Sequence, residues 1–453
     1  MEAGGRRTAR PPRRTRDAEM TCTRISTRTC TRISRRRFLT STMAAASAAI
    51  ASPAVHAQPA GPRVVVIGGG FGGASCARAL READARLRVT LVEQSRTYTA
   101  SPMSNAVIAG LRELAQQQFT YDRLARDGVT LALAAATKID PPARAMTLAD
   151  STTLAYERLV LSPGIDFRWN AIAGYDEAAA ALVPHAYRGA EQIALLRRQL
   201  ESMEDGGTVV VAAPVNPARC PPAPYERACL IAHYLKTRKP RAKVIVLDAK
   251  DSFTMQKLFE NAWKELYPGM VEWVSVSSGG ALASVDAKTR TLSTDFDKYE
   301  AAVANVIPPQ KAGRVAELAG VADRTGWCPV DPMTFESKLQ PNVHVIGDAA
   351  IAGAMPRSAS AANSQAKICA AAIVALLAGR TAQAPTLTSS CFSLLAPDYA
   401  ISQRGTYRPV DGQYTESDPG IVVSPLAAAQ DVRTAEAREA AAWFADITAG
   451  VFG

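Results

Sequence analysis

At 453 residues the chain is long enough for two or three domains, and 47% apolar against 21% charged residues excludes a disordered polypeptide. A formal net charge of +10 suggests nucleic-acid binding until its distribution is read. Residues 1–57 hold 12 arginines and 3 acidic residues of the chain's 52 basic and 42 acidic, leaving 40 against 39 in the remainder. The basicity belongs to the leader, and no nucleic-acid partner is expected.

That leader reads as an export signal. Ser34-Arg35-Arg36-Arg37-Phe38-Leu39 resembles a twin-arginine motif, a weakly apolar stretch runs from Met43 to Ala51, and Val55-His56-Ala57 suits signal-peptidase cleavage. The expected location is periplasmic, and this route carries folded proteins, often with cofactors loaded. Upstream, Thr-Cys-Thr-Arg-Ile-Ser occurs at 21–26 and again at 29–34, as in a low-complexity extension. Cleavage leaves Cys76, Cys220, Cys229, Cys328, Cys369 and Cys391, too few for a disulfide scaffold. No other stretch has the roughly 18 consecutive apolar residues of a membrane span, so none is expected.

The body opens with the β-branched run Arg63-Val-Val-Val-Ile67, then Gly68-Gly-Gly70-Phe-Gly-Gly73 and an alanine-rich helix. In Gly68-x-Gly70-x-x-Gly73, Gly68 makes the tight turn, Gly70 admits a pyrophosphate and Gly73 packs helix on strand. The helix N-terminus then faces the phosphates. A second strand, Leu87–Val92, ends at Glu93, whose carboxylate can accept both hydroxyls of an adenosine ribose. Two later segments favour FAD over NAD. Tyr156-Glu-Arg-Leu-Val-Leu-Ser-Pro-Gly164 and Asn342-Val-His-Val-Ile-Gly347-Asp348 resemble the two segments that complete the FAD site in flavoproteins with two dinucleotide folds. There Asp348 would bind the ribityl chain, and a helix beginning at Ala349 would point at the flavin.

A second nucleotide-like fold is predicted from the strands Gly207–Ala212 and Lys243–Asp248 with a helix over Tyr225–Lys236 between them. Its first strand runs into Ala213-Pro-Val-Asn-Pro-Ala-Arg-Cys220-Pro-Pro-Ala-Pro-Tyr-Glu226-Arg. A loop with five prolines and no glycine cannot bring amides around a pyrophosphate, so NAD(P) is not expected to bind. A thiol stands where the phosphates would be.

At this loop the chain resembles the flavoprotein subunit of flavocytochrome c sulfide dehydrogenase. Asp251-Ser-Phe, Val271-Glu-Trp-Val-Ser, Asn305-Val-Ile-Pro-Pro-Gln-Lys-Ala-Gly313, Thr325-Gly-Trp-Cys-Pro-Val-Asp331 and the C-terminal stretch with Cys391-Phe-Ser-Leu and Trp443 carry the same resemblance. It implies an α/β architecture: two Rossmann-like dinucleotide-binding domains of the glutathione-reductase-like FAD fold plus a smaller C-terminal α+β domain. The implied boundaries are 1–57 for the leader, 58–170 with 300–380 for FAD, 171–299 for the second fold, and 381–453 for the C-terminal domain. It further implies a redox disulfide of Cys220 and Cys391 over the flavin. Hydrosulfide would attack it, Glu226 would accept the proton or tune the thiolate, and electrons would pass through FAD to a c-type cytochrome subunit. Covalently tethered relatives hold a cysteine in the segment matching Tyr98-Thr-Ala-Ser101-Pro-Met-Ser-Asn105. Ser101 stands at that position, so FAD is expected to be non-covalent.

The other cysteines read as small core residues, with Cys328 a candidate third thiol, while His185 and His344 read as structural. No cluster has metal-ligand spacing, so no metal is expected. Two rival functions are a sulfide:quinone oxidoreductase and a non-catalytic electron-transfer or sulfur-carrier subunit. The C-terminal segment Ala435–Ala445, with Glu436, Arg438 and Glu439, lacks the apolar face of a membrane anchor.

Overall fold

A computed structural model describes residues 61–453; the leader with its twin-arginine motif, Cys22 and Cys30 lies outside the described residues. The α/β class is evident in two parallel sheets. The first has the spatial order Val343–Val345, Arg158–Leu161, Arg63–Ile67, Arg88–Val92, Thr130–Ala132. Val64, Val65, Val66, Leu159 and Val160 are all buried, as expected of strands covered on both faces. The helix Phe71–Ala83 packs on it, and the alanine-rich helix Ala359–Leu377 packs on that helix in turn. Ala359–Leu377 has a window of mean hydropathy 1.3, long and apolar enough to cross a membrane, yet Ala366, Cys369, Ala370 and Ile373 are buried inside the protein.

The second parallel sheet has the order Val271–Val274, Lys243–Asp248, Thr208–Ala213, Val303–Val306. Val303–Val306 pairs with Thr208–Ala213, so this unit extends past residue 299, the boundary expected from sequence. The strand Val-Ala-Asn-Val is buried at every position and needs a covered sheet, which the second unit supplies. The chain leaves the first unit through Ile165–Phe167 and returns through Gln310–Ala312, which pair antiparallel as a two-stranded link.

The remainder is a three-stranded antiparallel sheet, Leu387–Ala396, Tyr399–Val410 and Gln413–Val423, followed by the helix Gln430–Val451. Its first strand brings Cys391 opposite Gln403.

The helix expected to begin at Ala349 also needs correction. No helix begins at Ala349: Gly347–Ala349 is a single 3-10 turn, and Ala350–Ile351 pairs with Cys328–Pro329 as a short parallel strand. That pairing holds the chain extended until Ser358, whose hydroxyl accepts from the Ala361 N–H at 3.1 Å and starts the helix at Ala359.

Candidate active site

A cavity of about 660 Å³ lies where the loops at the strand ends of the first sheet, the Cys220 loop with the helix Ala223–Arg238, and the strand Leu387–Ala396 meet. Its wall includes Gly68, Gly70, Glu93, Ser101, Asn105, Gly164, Gly347 and Asp348, together with Cys220, Glu226 and Cys391. Of the site residues proposed from sequence, Gly73 alone is absent from the wall, and its part is packing. A Cβ there would sit 1.9 Å from the Gly68 carbonyl oxygen, so the helix could not start so close to the strand. Gly68 has φ +100°, and a Cβ on it would meet the Ser162 carbonyl oxygen at 2.3 Å.

Glu93 accepts hydrogen bonds from the Gly69 N–H at 2.8 Å and the Ser95 N–H at 3.1 Å, which hold its carboxylate beside the glycine loop. Tyr121 packs against Gly69 and lines the same wall; its hydroxyl is buried with no partner among the described residues. Asp348 sits in the turn after Val343–Val345, and burial raises its carboxyl against the opposing pull of Arg219 and Arg357.

Cys220 and Cys391 are free thiols in mutual contact. That contact and burial push the Cys220 thiol well above its ordinary range; the charges of Cys391 and Glu226 add to the effect and Arg219 opposes it. Cys220 adopts φ +51°, a left-handed conformation uncommon for a residue with a Cβ, and its N–H donates to the Arg357 carbonyl at 2.8 Å. The proline-rich loop therefore presents the thiol from a constrained turn.

Glu226 is not the surface carboxylate that a first-turn helix position suggests: it is 7% exposed. Burial raises it to about 7, against the Leu394 backbone, the Asn105 side chain and the Arg227 charge. Asn105 donates to the Ala223 carbonyl at 3.2 Å and accepts from Arg227 Nε at 3.0 Å. Arg227, buried and lowered to about 10 by desolvation, also donates to Asn305 Oδ1 and to the His185 and Ala186 carbonyls at 2.7–2.9 Å. Sequence reasoning missed Arg227, Tyr121 and Tyr187. Only Arg227 left a trace, as a charge on a helix otherwise apolar from Ala228 to Ala232.

In the second sheet, Asp248 occupies the strand-end position that Glu93 holds in the first, but it is fully buried. It accepts from Tyr225 Oη at 2.5 Å, Lys250 Nζ at 2.6 Å and Trp273 Nε1 at 3.0 Å. Tyr225 stacks on Phe253 with ring centroids 3.6 Å apart.

The other thiols lie outside the cavity wall. Cys229 is buried and accepts from Trp263 Nε1 at 3.1 Å; Cys328 is buried and raised to about 12 by desolvation. Cys76 and Cys369 are both buried and touch each other between their helices. Burial lowers His185 to about 3 and His344 to about 4. Among the described residues no group of three or more His, Cys, Asp or Glu is placed to hold a metal ion.

A dinucleotide fits this wall: the glycine turn, an acid at the strand end, and two buried phenol hydroxyls, on Tyr121 and Tyr187, that have no partner among the described residues. The thiols in the wall are Cys220 and Cys391, and Ser101 offers only a hydroxyl.

The profile described as sulfide dehydrogenase [flavocytochrome c] flavoprotein chain, central, matches residues 193–308, and that of flavocytochrome c sulphide dehydrogenase, flavin-binding, matches 383–452. Residues 62–211 match the pyridine nucleotide-disulphide oxidoreductase profile. Mitochondrial sulfide:quinone oxidoreductase of Mus musculus is 26% identical over 296 residues, 63% of this chain, and the chain spans 65% of that relative's length. The crystal structure of sulfide:quinone oxidoreductase from Aquifex aeolicus superposes with a TM-score of 0.69 at 16% identity, covering 86% of this chain and 92% of that one, a likeness of fold. The sulfide dehydrogenase [flavocytochrome c] flavoprotein chain of Chlorobaculum thiosulfatiphilum is 58% identical over 45 residues, 10% of this chain and 94% of that sequence. Over residues 193–308 and 383–452 the chain is therefore similar to flavocytochrome c sulfide dehydrogenase flavoprotein chains.

Proposed function

We propose that the protein oxidises sulfide in the periplasm through a Cys220–Cys391 redox disulfide and a non-covalently held FAD, and passes the electrons to a c-type cytochrome subunit. The observation that carries this reading is the contacting pair Cys220 and Cys391 in the wall that also holds the dinucleotide fingerprint and Glu226. FAD supplies a two-electron acceptor that can release electrons singly. The chain's own residues supply the rest. Hydrosulfide bonds to one cysteine sulfur as the S–S bond breaks, one cysteine becomes a persulfide and the other a thiolate, and the persulfide proton passes to the Glu226 carboxylate. A carboxyl raised to about 7 is matched to that transfer near neutral pH.

Two Rossmann-like domains and a C-terminal α+β domain, with the leader as an export signal, complete the reading. Exclusion of NAD(P) and of a membrane span belongs to it as well. Asp248, the acid of the second fold, has its oxygens engaged by Tyr225, Lys250 and Trp273, and the helix Ala359–Leu377 buries Ala366, Cys369, Ala370 and Ile373 in the core.

A quinone-linked reading is favoured by the match to the mouse enzyme and by the fold likeness. Sulfide-dependent reduction of small c-type cytochromes, measured beside a soluble quinone across a range of salt, separates the two. Cytochrome reduction that is insensitive to salt supports our reading, since the body is nearly neutral and gives little long-range steering. Quinone reduction with no cytochrome reduction at any salt transfers the assignment to the quinone-linked enzyme.

A further inference from the structure

Two buried thiols outside the cavity wall have no part in the chemistry proposed above. Cys76 lies on the helix Phe71–Ala83 that starts at the glycine turn, and Cys369 lies on the helix Ala359–Leu377. Both are 0% exposed, and their side chains meet across the seam between the two helices. Other contacts fix how this seam is packed. A Cβ on Gly72 would lie 3.6 Å from the Ala362 Cβ, so the two backbones approach closely there. Asn363 Nδ2 donates to Ser75 Oγ at 2.7 Å, one residue before Cys76.

On the Cys369 helix, Ala362, Ala366 and Ala370 are buried around the thiol. Helices packed through such small residues lie 8–10 Å apart, which leaves roughly 3.5–5.5 Å between facing Cα atoms. A disulfide spans Cα separations of roughly 4.4–6.8 Å, so the two ranges overlap. The contacting thiols and the close backbones together meet the geometric demand of a bridge.

We propose that Cys76 and Cys369 form a second, structural disulfide that ties the helix of the glycine turn to the helix after Asp348. This goes beyond the sulfide-oxidation reading and holds without it. The bridge forms by exchange with a small disulfide or an oxidised dithiol protein. Two thiol protons leave, the Cys76–Cys369 bond forms, and the donor's disulfide is reduced to two thiols. Burial and the contact with Cys76 push the Cys369 thiol well above its ordinary range, so the packed pair reacts slowly. Exchange therefore runs when the helices first meet or briefly part. A second cavity of about 460 Å³, lined by Ser75, Arg78, Asn363 and Lys367, opens beside the seam and gives a small donor its approach. Burial then shields the finished bridge from hydrosulfide, whereas Cys220 and Cys391 stand in the wall of the larger cavity. Because the bridge closes most of the described chain into one loop, it restricts the unfolded state strongly.

The test exposes FAD-loaded protein to oxidised glutathione, alkylates it in denaturant without reductant, and maps the peptides by mass spectrometry. A linked peptide pair holding Cys76 and Cys369 is expected, lost on reduction, with Cys229 and Cys328 alkylated. Alkylated Cys76 and Cys369 in protein whose Cys220 and Cys391 are bridged overturns the proposal. Anaerobic sulfide added to the oxidised protein should make Cys220 and Cys391 alkylatable and leave the Cys76–Cys369 pair linked. If sulfide opens neither bridge, the sulfide-oxidation reading fails and this proposal stands. If it opens Cys76–Cys369 as fast as the cavity pair, the bridge is not the shielded one proposed. Oxidation should also raise the melting temperature of wild type by roughly 5 °C more than that of Cys369→Ala, which keeps the cavity pair. An equal rise in both overturns the proposed tie between the helices. Where Cys369→Ala does not fold, Cys76→Ala takes its place and the peptide map of wild type still decides.

Discussion

The Tyr225 hydroxyl donates a 2.5 Å hydrogen bond to Asp248, and the Tyr225 ring stacks on Phe253 at 3.6 Å. In a nucleotide-binding fold, the acid at this strand end is the group that receives a ribose. Asp248 is instead fully buried and ringed by Tyr225, Lys250 and Trp273. NADH should therefore reduce the flavin far more slowly than sulfide does under anaerobic mixing. Bleaching by NADH that outpaces sulfide would show that this pocket opens.

Acid precipitation should release the flavin to the supernatant. Ser101 lines the cavity where tethered relatives hold a cysteine, and a hydroxyl forms no thioether. Flavin retained in the pellet would contradict non-covalent binding.

Glu226 predicts a specific pH dependence. Burial raises its carboxyl to about 7, whereas an unfolded carboxyl ionises near 4.5. Between those values the folded chain binds more protons than the unfolded one, so stability falls as pH rises through the window. The penalty is complete above pH 7 and is on the order of 3 kcal/mol. Glu226→Gln should match wild type near pH 4 and melt higher than wild type at pH 8. The rise of sulfide-driven reduction through about pH 7, compared at equal hydrosulfide concentration, should vanish in the same variant. Parallel melting curves at pH 4 and pH 8 would contradict the buried carboxyl.

Phe452 stacks on Phe119 at 5.2 Å and on Tyr98 at 5.3 Å, and meets Phe71 and Tyr121 at an angle. It thereby braces the glycine loop from the far end of the chain. Phe452→Ala should cost about 3–5 kcal/mol, read as a lowered melting temperature, and should speed flavin loss on dilution. Unchanged flavin retention would confine Phe452 to packing alone.

The dinucleotide turn was legible because its geometry admits only glycine at Gly68 and Gly73. Cys220, Cys391 and Glu226, singled out from motifs far apart in sequence, share one cavity wall. The start of the helix at Ala359 was misread since the pairing of Ala350–Ile351 with Cys328–Pro329 is a tertiary contact that no local pattern announces. The end of the second unit was misplaced for the same reason, through the pairing of Val303–Val306. Tyr187 and Tyr121 carried no motif, because what distinguishes them is a buried hydroxyl without a partner, a property of the folded wall.

The most direct measurement is anaerobic stopped-flow mixing of the purified, FAD-loaded chain with sulfide, following the flavin absorbance. Wild type and Cys229→Ser, whose sulfur lies in the second core, should be reduced rapidly; Cys220→Ser and Cys391→Ser should keep their flavin and fail to reduce it. Reduction of either cavity-cysteine variant at the wild-type rate, or no reduction of the wild type at all, would contradict the account.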